Sequence, residues 1–203
     1  MLTRRKLLVL AGTAAVLTGL GLPAQAQAPD SPAAAFVQRT GEELIRALSQ
    51  SPSPEARSQQ LLQVIDRTVD VDGLARFCLG IYWRRATPQQ QQEYIAAFHQ
   101  SLAHSITGRM GEYEGVRFAV GRSAPEGPDT AVQTTILRQN NPPLQVVWLV
   151  STGSGTPKII DVQAEGTSMR LTERSDYTSF LQQHGGNVQA LIDALKRQAV
   201  QQG

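Results

Sequence analysis

Apolar positions recur at helical spacing through the first half of the chain and then switch to strand-like alternation. Between about Ala33 and Leu48, Phe36, Val37, Leu44, Ile45 and Leu48 fall on one helical face. Ser51-Pro52-Ser53-Pro54 breaks that pattern. A second helix is predicted over about Glu55–Thr68, with Leu61, Leu62 and Ile65 inward, and a third over Val71–Leu79, capped by Asp70. Gly80 ends it, since glycine tolerates positive φ. Thr87 is a good N-cap and Pro88 suits the first helical position, so a long helix should run to about Met110. Its stripe is Tyr94, Ile95, Phe98, Leu102 and Ile106, and the glutamines Gln89 to Gln92 form its first turns.

Beyond this helix the period becomes two. Val116, Phe118 and Val120 alternate with Arg117 and Ala119 in a strand of about six residues. Pro125-Glu126-Gly127-Pro128 reads as a turn, and Thr130–Arg138 alternates again, with Val132, Thr134 and Ile136 on one face. After Asn140-Asn141-Pro142-Pro143, Leu144–Val150 is almost wholly apolar, as suits a strand covered on both faces. Thr152-Gly153-Ser154-Gly155 closes a hairpin to a fourth strand, Lys158–Glu165, with Ile160, Val162 and Ala164 on one face. Short connections predict an antiparallel meander. Two helices follow. Thr172 is the expected cap of the first, which bears Tyr177, Phe180 and Leu181; Asn187 caps the second, with Val188, Leu191, Ile192 and Leu195 inward. The class is α+β: a four-stranded antiparallel sheet with a helical layer and a helical annex.

The first residues change the meaning of the composition. Arg4, Arg5 and Lys6 precede an apolar run, Leu7–Leu22, and Ala24-Gln25-Ala26 is a small-x-small cleavage site. Gly12, Thr13, Thr18, Gly19 and Gly21 interrupt the run, which is short for a spanning helix. Residues 1–26 therefore read as a cleaved export leader and 27–203 as the mature chain. Thr3-Arg4-Arg5-Lys6-Leu7-Leu8 suits either a twin-arginine or an ordinary secretory signal. The whole chain carries 19 Lys+Arg and 17 Asp+Glu; losing the three basic residues of the leader leaves 16 against 17, net −1. Such a chain has no global field for nucleic acid or for an anionic membrane. Cys78 is the only cysteine, so no intramolecular disulfide forms, and its neighbours Leu74, Phe77 and Leu79 suit a buried thiol.

Two blocks carry a family resemblance. Leu79-Gly80-x-Tyr82-Trp83-Arg84-x-Ala86-Thr87, followed by a glutamine-rich helix start and Phe98, resembles the MlaC (toluene-tolerance) family of periplasmic phospholipid carriers. Asp161 to Met169, through Glu165, Gly166 and Ser168, is similar to that family's strand-exit motif. The resemblance covers nearly all of the mature chain. It implies an NTF2-like (cystatin-like) architecture with an apolar cavity between sheet and helices. It implies a soluble, non-enzymatic periplasmic carrier, without cofactor or metal, that holds acyl chains and leaves the headgroup in water. Its implied partners are an inner-membrane ABC transporter complex and an outer-membrane lipoprotein/porin complex. Hopanoid or other polycyclic cargo is an open alternative.

Within that frame the face of Leu144, Val146, Trp148 and Val150 is bulkier and cleaner than that of Gln145, Val147, Leu149 and Ser151. It is expected to line the cavity with Phe118, Val120 and Ile136 before it and Ile160 and Val162 after it. The Phe98, Leu102 and Ile106 stripe is expected opposite. Tyr82, Trp83, Arg84 and Arg85 stand at the helix-to-helix turn. They are expected at the pocket mouth or at a partner contact, with pairing of the arginines to Asp70, Asp72 or Glu93 as the structural alternative.

The search for chemistry is short. His99, His104 and His184 match no metal spacing, and no HExxH, CxxC, nucleophile elbow or phosphate loop occurs. The competing readings are an NTF2-like cavity enzyme and a pure interaction module of the envelope. In the enzyme, Asp161 would be the base and Tyr94, Tyr113 or Tyr177 the donor. A structural role for Asp161 is the stronger reading, because a buried catalytic base needs partners that no motif here supplies.

Overall fold

Among the described residues, short polar side chains start every α-helix. The computed structural model describes residues 30–51, 53–107, 115–138 and 141–201; the leader, Tyr113 and the expected helix end at Met110 lie outside them. Ser31 caps α1 (Pro32–Gln50) and Ser53 caps α2 (Pro54–Thr68); each hydroxyl accepts from the amide three residues on, and proline takes the first helical position. Asp70 does the same for α3 (Val71–Leu79), at 3.0 Å from the Gly73 amide. Gly80, at φ 59 and ψ −127, then turns the chain into a 3-10 segment, Gly80–Arg84. α4 (Pro88–Thr107) opens on a reciprocal capping box. The Gln90 amide donates to Thr87 Oγ1 (3.2 Å) and the Thr87 amide to Gln90 Oε1 (3.1 Å). Gln91 Nε2 donates to the Trp83 carbonyl (2.9 Å), so two of the four glutamines fasten the turn before the helix.

The sheet is a meander of five antiparallel strands in sequence order: β1 (Arg117–Glu126), β2 (Asp129–Leu137), β3 (Leu144–Ser151), β4 (Lys158–Ala164) and β5 (Thr167–Ser168). Four strands were expected; the fifth is a two-residue pairing with Gln163 and Ala164 as the chain leaves the sheet. Glu165 (φ 49) and Gly166 (φ 78) make that exit turn. β1 is longer than its alternation suggests, because Pro125 and Glu126 pair with Thr130 and Asp129 and leave only Gly127 and Pro128 in the turn. Proline is tolerated there because β1 is an edge strand.

Helices return with α5 (Met169–Gln183) and α6 (Val188–Gln201). Ser168, not Thr172, caps α5: its hydroxyl accepts from the Leu171 amide (3.2 Å), while the Thr172 hydroxyl donates back to the Ser168 carbonyl (2.9 Å). Asn187 Oδ1 accepts from the Gln189 and Ala190 amides at the start of α6.

The core has two centres. One is a helical cluster in which α3, α4, α5 and α6 bury Leu79, Tyr94, Phe98, Tyr177, Leu181 and Ile192 among others. The second lies between α1 and one face of the sheet, where Ala34, Phe36 and Val37 meet Val132, Val150 and Ile159. Fully burying a Val or Ile side chain stabilises by roughly 1.5–3 kcal/mol, so each centre is a substantial contribution to the fold. Gly41 lets α1 approach β1 closely, since a Cβ there would fall 2.6 Å from Phe118 Cε1. The opposite sheet face carries Leu149 and Asp161 and packs under α3 and α5. Val69 joins the sheet by a parallel bridge to Ile159, with the Asp70 amide donating to the Ile159 carbonyl at 3.0 Å. Among the described residues no helix is long and apolar enough to cross a membrane.

Candidate functional site

Strand alternation puts Val132, Thr134 and Ile136 of β2 beside Trp148, Val146 and Leu144 of β3, on the face turned toward α1. Phe118 and Val120 extend this face on β1, paired with Ile136 and Thr134, and Val162 extends it on β4, paired with Trp148. Its few polar atoms satisfy one another. Trp148 Nε1–H donates to Thr134 Oγ1 (2.9 Å), and the Thr134 hydroxyl donates to the Val146 carbonyl (3.1 Å). The result is an apolar wall with no loose hydrogen-bonding group at that point. Thr134 was not among the residues expected in the site. The signal was available: a half-buried indole N–H favours an acceptor on the wall, and Thr134 lies one strand away on the same face.

This wall is incompletely covered. Val132, Val146 and Val150 are buried, but Phe118, Val120, Ile136, Trp148 and Val162 remain half-exposed. The Phe118 and Trp148 rings meet edge to face at 6.4 Å. Ile160 departs from its expected place. A bulge pairs Leu149 with Asp161 but Val150 with Ile159, so Ile159 shares the wall with Val150 and Ile160 is the extra residue.

The α4 stripe departs more. Phe98 does not face the sheet; it packs with Tyr94 and Tyr177 at ring separations of 6.0 and 6.3 Å inside the helical cluster. Leu102 packs against that same cluster, and Ile106 is half-buried. The buried line on α4 is Tyr94, Ala97, Phe98 and Ser101, directed at the helices that follow the sheet in sequence. It is α1 that stands over the Trp148 face.

Where the two apolar centres adjoin, α2, α3, α4 and β4 leave a cleft of about 540 Å³. Val69 on one wall packs on the sheet cluster, while Val71 and Ile95 pack on the helical one. Its rim is polar. His99 Nε2 lies 2.5 Å from Asp66 Oδ1, tying α4 to α2, and Lys158 Nζ donates to the carbonyls of Asp66 (3.3 Å) and Arg67 (2.7 Å) at the end of α2.

The groups that could do acid–base work are committed elsewhere. Asp161 is 3 % exposed on the other sheet face. Its carboxylate accepts from the Val162 amide (2.9 Å), the Arg170 amide (3.1 Å) and the Ser168 hydroxyl (2.6 Å), with Arg170 Nε at 3.6 Å. It clamps the junction of β4 and α5. Tyr94 donates to the Ala75 carbonyl at 3.0 Å, and burial raises its pKa well above the usual phenol range. Burial, then the Glu173 carboxylate, does the same at Tyr177. Burial, again with Glu173 second, pushes the Cys78 thiol up to about 12. Among the described residues no three His, Cys, Asp or Glu side chains gather as metal ligands would.

The turn after Gly80 is built differently from a pocket mouth. Tyr82 is buried in the helical cluster, with the Arg85 guanidinium 5.5 Å from its ring centre. Trp83 is half-buried under Arg76 at 5.4 Å. Arg84 and Arg85 are exposed and form no ion pair with Asp70, Asp72 or Glu93; Glu93 pairs with Lys196 on α6 at 3.2 Å instead.

Comparison with known proteins bears on this geometry. A family model described as MlaC protein matches residues 38–197. The toluene tolerance protein ttg2D of Pseudomonas putida is 26 % identical over 197 residues, covering 94 % of this chain and 87 % of that protein. A phospholipid-binding protein from Ralstonia solanacearum, solved in complex with a phospholipid, superimposes with a TM-score of 0.75 over 85 % of this chain and 99 % of its own, at 21 % identity. At that identity the match establishes the shared α+β fold.

Proposed function

The chain belongs to the MlaC family, and from that premise we propose that it is a lipid carrier of the periplasm, exported by residues 1–26 and working as the mature chain 27–203. The observation that carries this reading is the half-covered apolar wall under α1. Phe118, Val120, Trp148 and Val162 pack on the sheet cluster yet keep part of their surface open. Each acyl CH₂ costs about 0.8 kcal/mol to leave in water, so such a wall next to a cleft gives acyl chains a place to go. Val146, Val150 and Ile136 belong to the proposed lining, with Ile159 in place of Ile160. Phe98 and Leu102 back the helical side, and Ile106 is a proposed wall residue near the end of α4. The cleft edged by Asp66, His99 and Lys158 is the proposed route by which a polar headgroup stays in contact with water.

The cargo is proposed to be phospholipid. The phospholipid held by the Ralstonia protein supports that choice; a polycyclic lipid such as a hopanoid would meet the same apolar side chains. Carriage needs binding and release but no covalent step, and the commitment of Asp161 to the β4–α5 junction supports a non-enzymatic role. Shuttling between an outer-membrane lipoprotein/porin complex and an inner-membrane ABC transporter completes the proposal, with Arg84 and Arg85 free to make external contacts. In the test, purified protein is incubated with vesicles containing labelled phospholipid and then separated from them. It should keep label that organic solvent extracts; retention no greater than that of an unrelated control protein overturns the reading.

A further inference from the structure

Three large apolar side chains stand mostly in solvent among the described residues: Ile81 (64 %), Met169 (52 %) and Leu171 (56 %). All three belong to one junction, where the 3-10 turn meets the start of α5. Arg174 joins the two sides. Its Nη1 donates to the Phe77 carbonyl (3.3 Å), and a Cβ on Gly80 would lie 3.2 Å from its Nη2. Leu171, three residues earlier, shares the Arg174 face of α5. Ile81 directly follows Gly80, and Arg84 comes three residues later, where side chains of a 3-10 helix eclipse. Met169 is two residues from Leu171 and projects from another side of the helix.

Around these aliphatic tips arginines outnumber unengaged carboxylates. Arg170 and Arg174 flank the Phe77 ring at 4.8 and 4.9 Å. Of the nearby acids, Asp161 is buried and bound to Ser168 and Arg170, and Glu173 is engaged with Tyr177. Asp176 stands two residues beyond Arg174 on a different side of α5. Arg84 and Arg174 have no carboxylate within ion-pair distance among the described residues.

We infer that this surface docks on an anionic lipid bilayer, with Ile81 and Leu171 entering the headgroup boundary and Arg84 and Arg174 meeting lipid phosphates. Aliphatic tips on a turn and a helix start suit a bilayer, which moulds to them. A protein partner would have to bring its own groove, and the cleft between α2, α3, α4 and β4 is lined by none of these residues. The attraction is local, since the mature chain is near neutral, and it combines apolar insertion with phosphate pairing. It is independent of cargo, because α5 packs on the sheet face opposite the apolar wall.

The test is flotation of purified protein with vesicles of phosphatidylglycerol and phosphatidylethanolamine, against vesicles of phosphatidylcholine alone. The wild type should float with the anionic vesicles and be released by high salt. Arg84→Glu and the double variant Ile81→Ser/Leu171→Ser, each checked for native circular dichroism, should lower the bound fraction at least about fivefold. Equal binding to both vesicle types, or folded variants that bind like wild type, overturns the inference. So does a wild type that ignores vesicles, including the case where the same variants lose binding to a purified envelope complex, which would assign the surface to a protein partner.

Discussion

Asp161 separates carrier from enzyme at the scale of one residue. Three donors converge on its carboxylate, so Asp161→Asn turns an amide N–H toward groups that themselves donate. Leaving buried donors unmatched costs about 1–3 kcal/mol. Chemical unfolding should show that loss, while lipid bound per folded protein stays at the wild-type level. Loss of lipid at unchanged stability would instead give Asp161 a ligand role. Val146 tests the wall itself. It is 4 % exposed on the α1 face, and its neighbour Val147 is half-exposed on the other. Val146→Arg should lose bound lipid, because an unpaired charge is costly among acyl chains. Val147→Arg should retain lipid; equal retention in the two folded variants, or loss only at Val147, rejects the assignment. The structural role of Asp161 and the bulky face of β3 were both legible in the sequence. The exchange of Ile160 for Ile159 was not, since a bulge is a pairing event between strands and leaves no mark on one strand's alternation.

At the scale of elements, local chemistry wrote the helix starts and tertiary packing chose the faces. Ser31, Ser53, Asp70 and Asn187 cap where short polar side chains precede apolar periodicity. Thr172 fails as a cap because Ser168, at the end of the two-residue β5, already fills that role. Within the glutamine run, Gln90 and Gln91 hold the turn that carries Tyr82 and Trp83. Thr87→Ala should therefore destabilise by about 1 kcal/mol, read from the midpoint of chemical unfolding. An unchanged midpoint would mean that the capping box contributes nothing. The direction of the α4 stripe could not be read from spacing. Tyr94, Ile95, Phe98, Leu102 and Ile106 suit burial against any apolar partner, and α6 and α3 proved closer partners than the sheet. Periodicity states that a face is buried, and only the chain's return path states against what.

On the scale of the whole molecule, two apolar centres share one chain. A domain built only for stability would close them into one core. Here the sheet centre keeps half-open aromatic and branched side chains under α1, beside a cleft at its seam with the helical centre. That division suits the proposed lipid carrier: a firm helical body and an apolar wall left partly open. Native mass spectrometry of protein purified from its own host tests this most directly. The account predicts folded protein carrying a discrete added mass that organic solvent removes and that fragments as a phospholipid. A folded protein at the bare mass of the mature chain, with no lipid in the solvent extract, would contradict it.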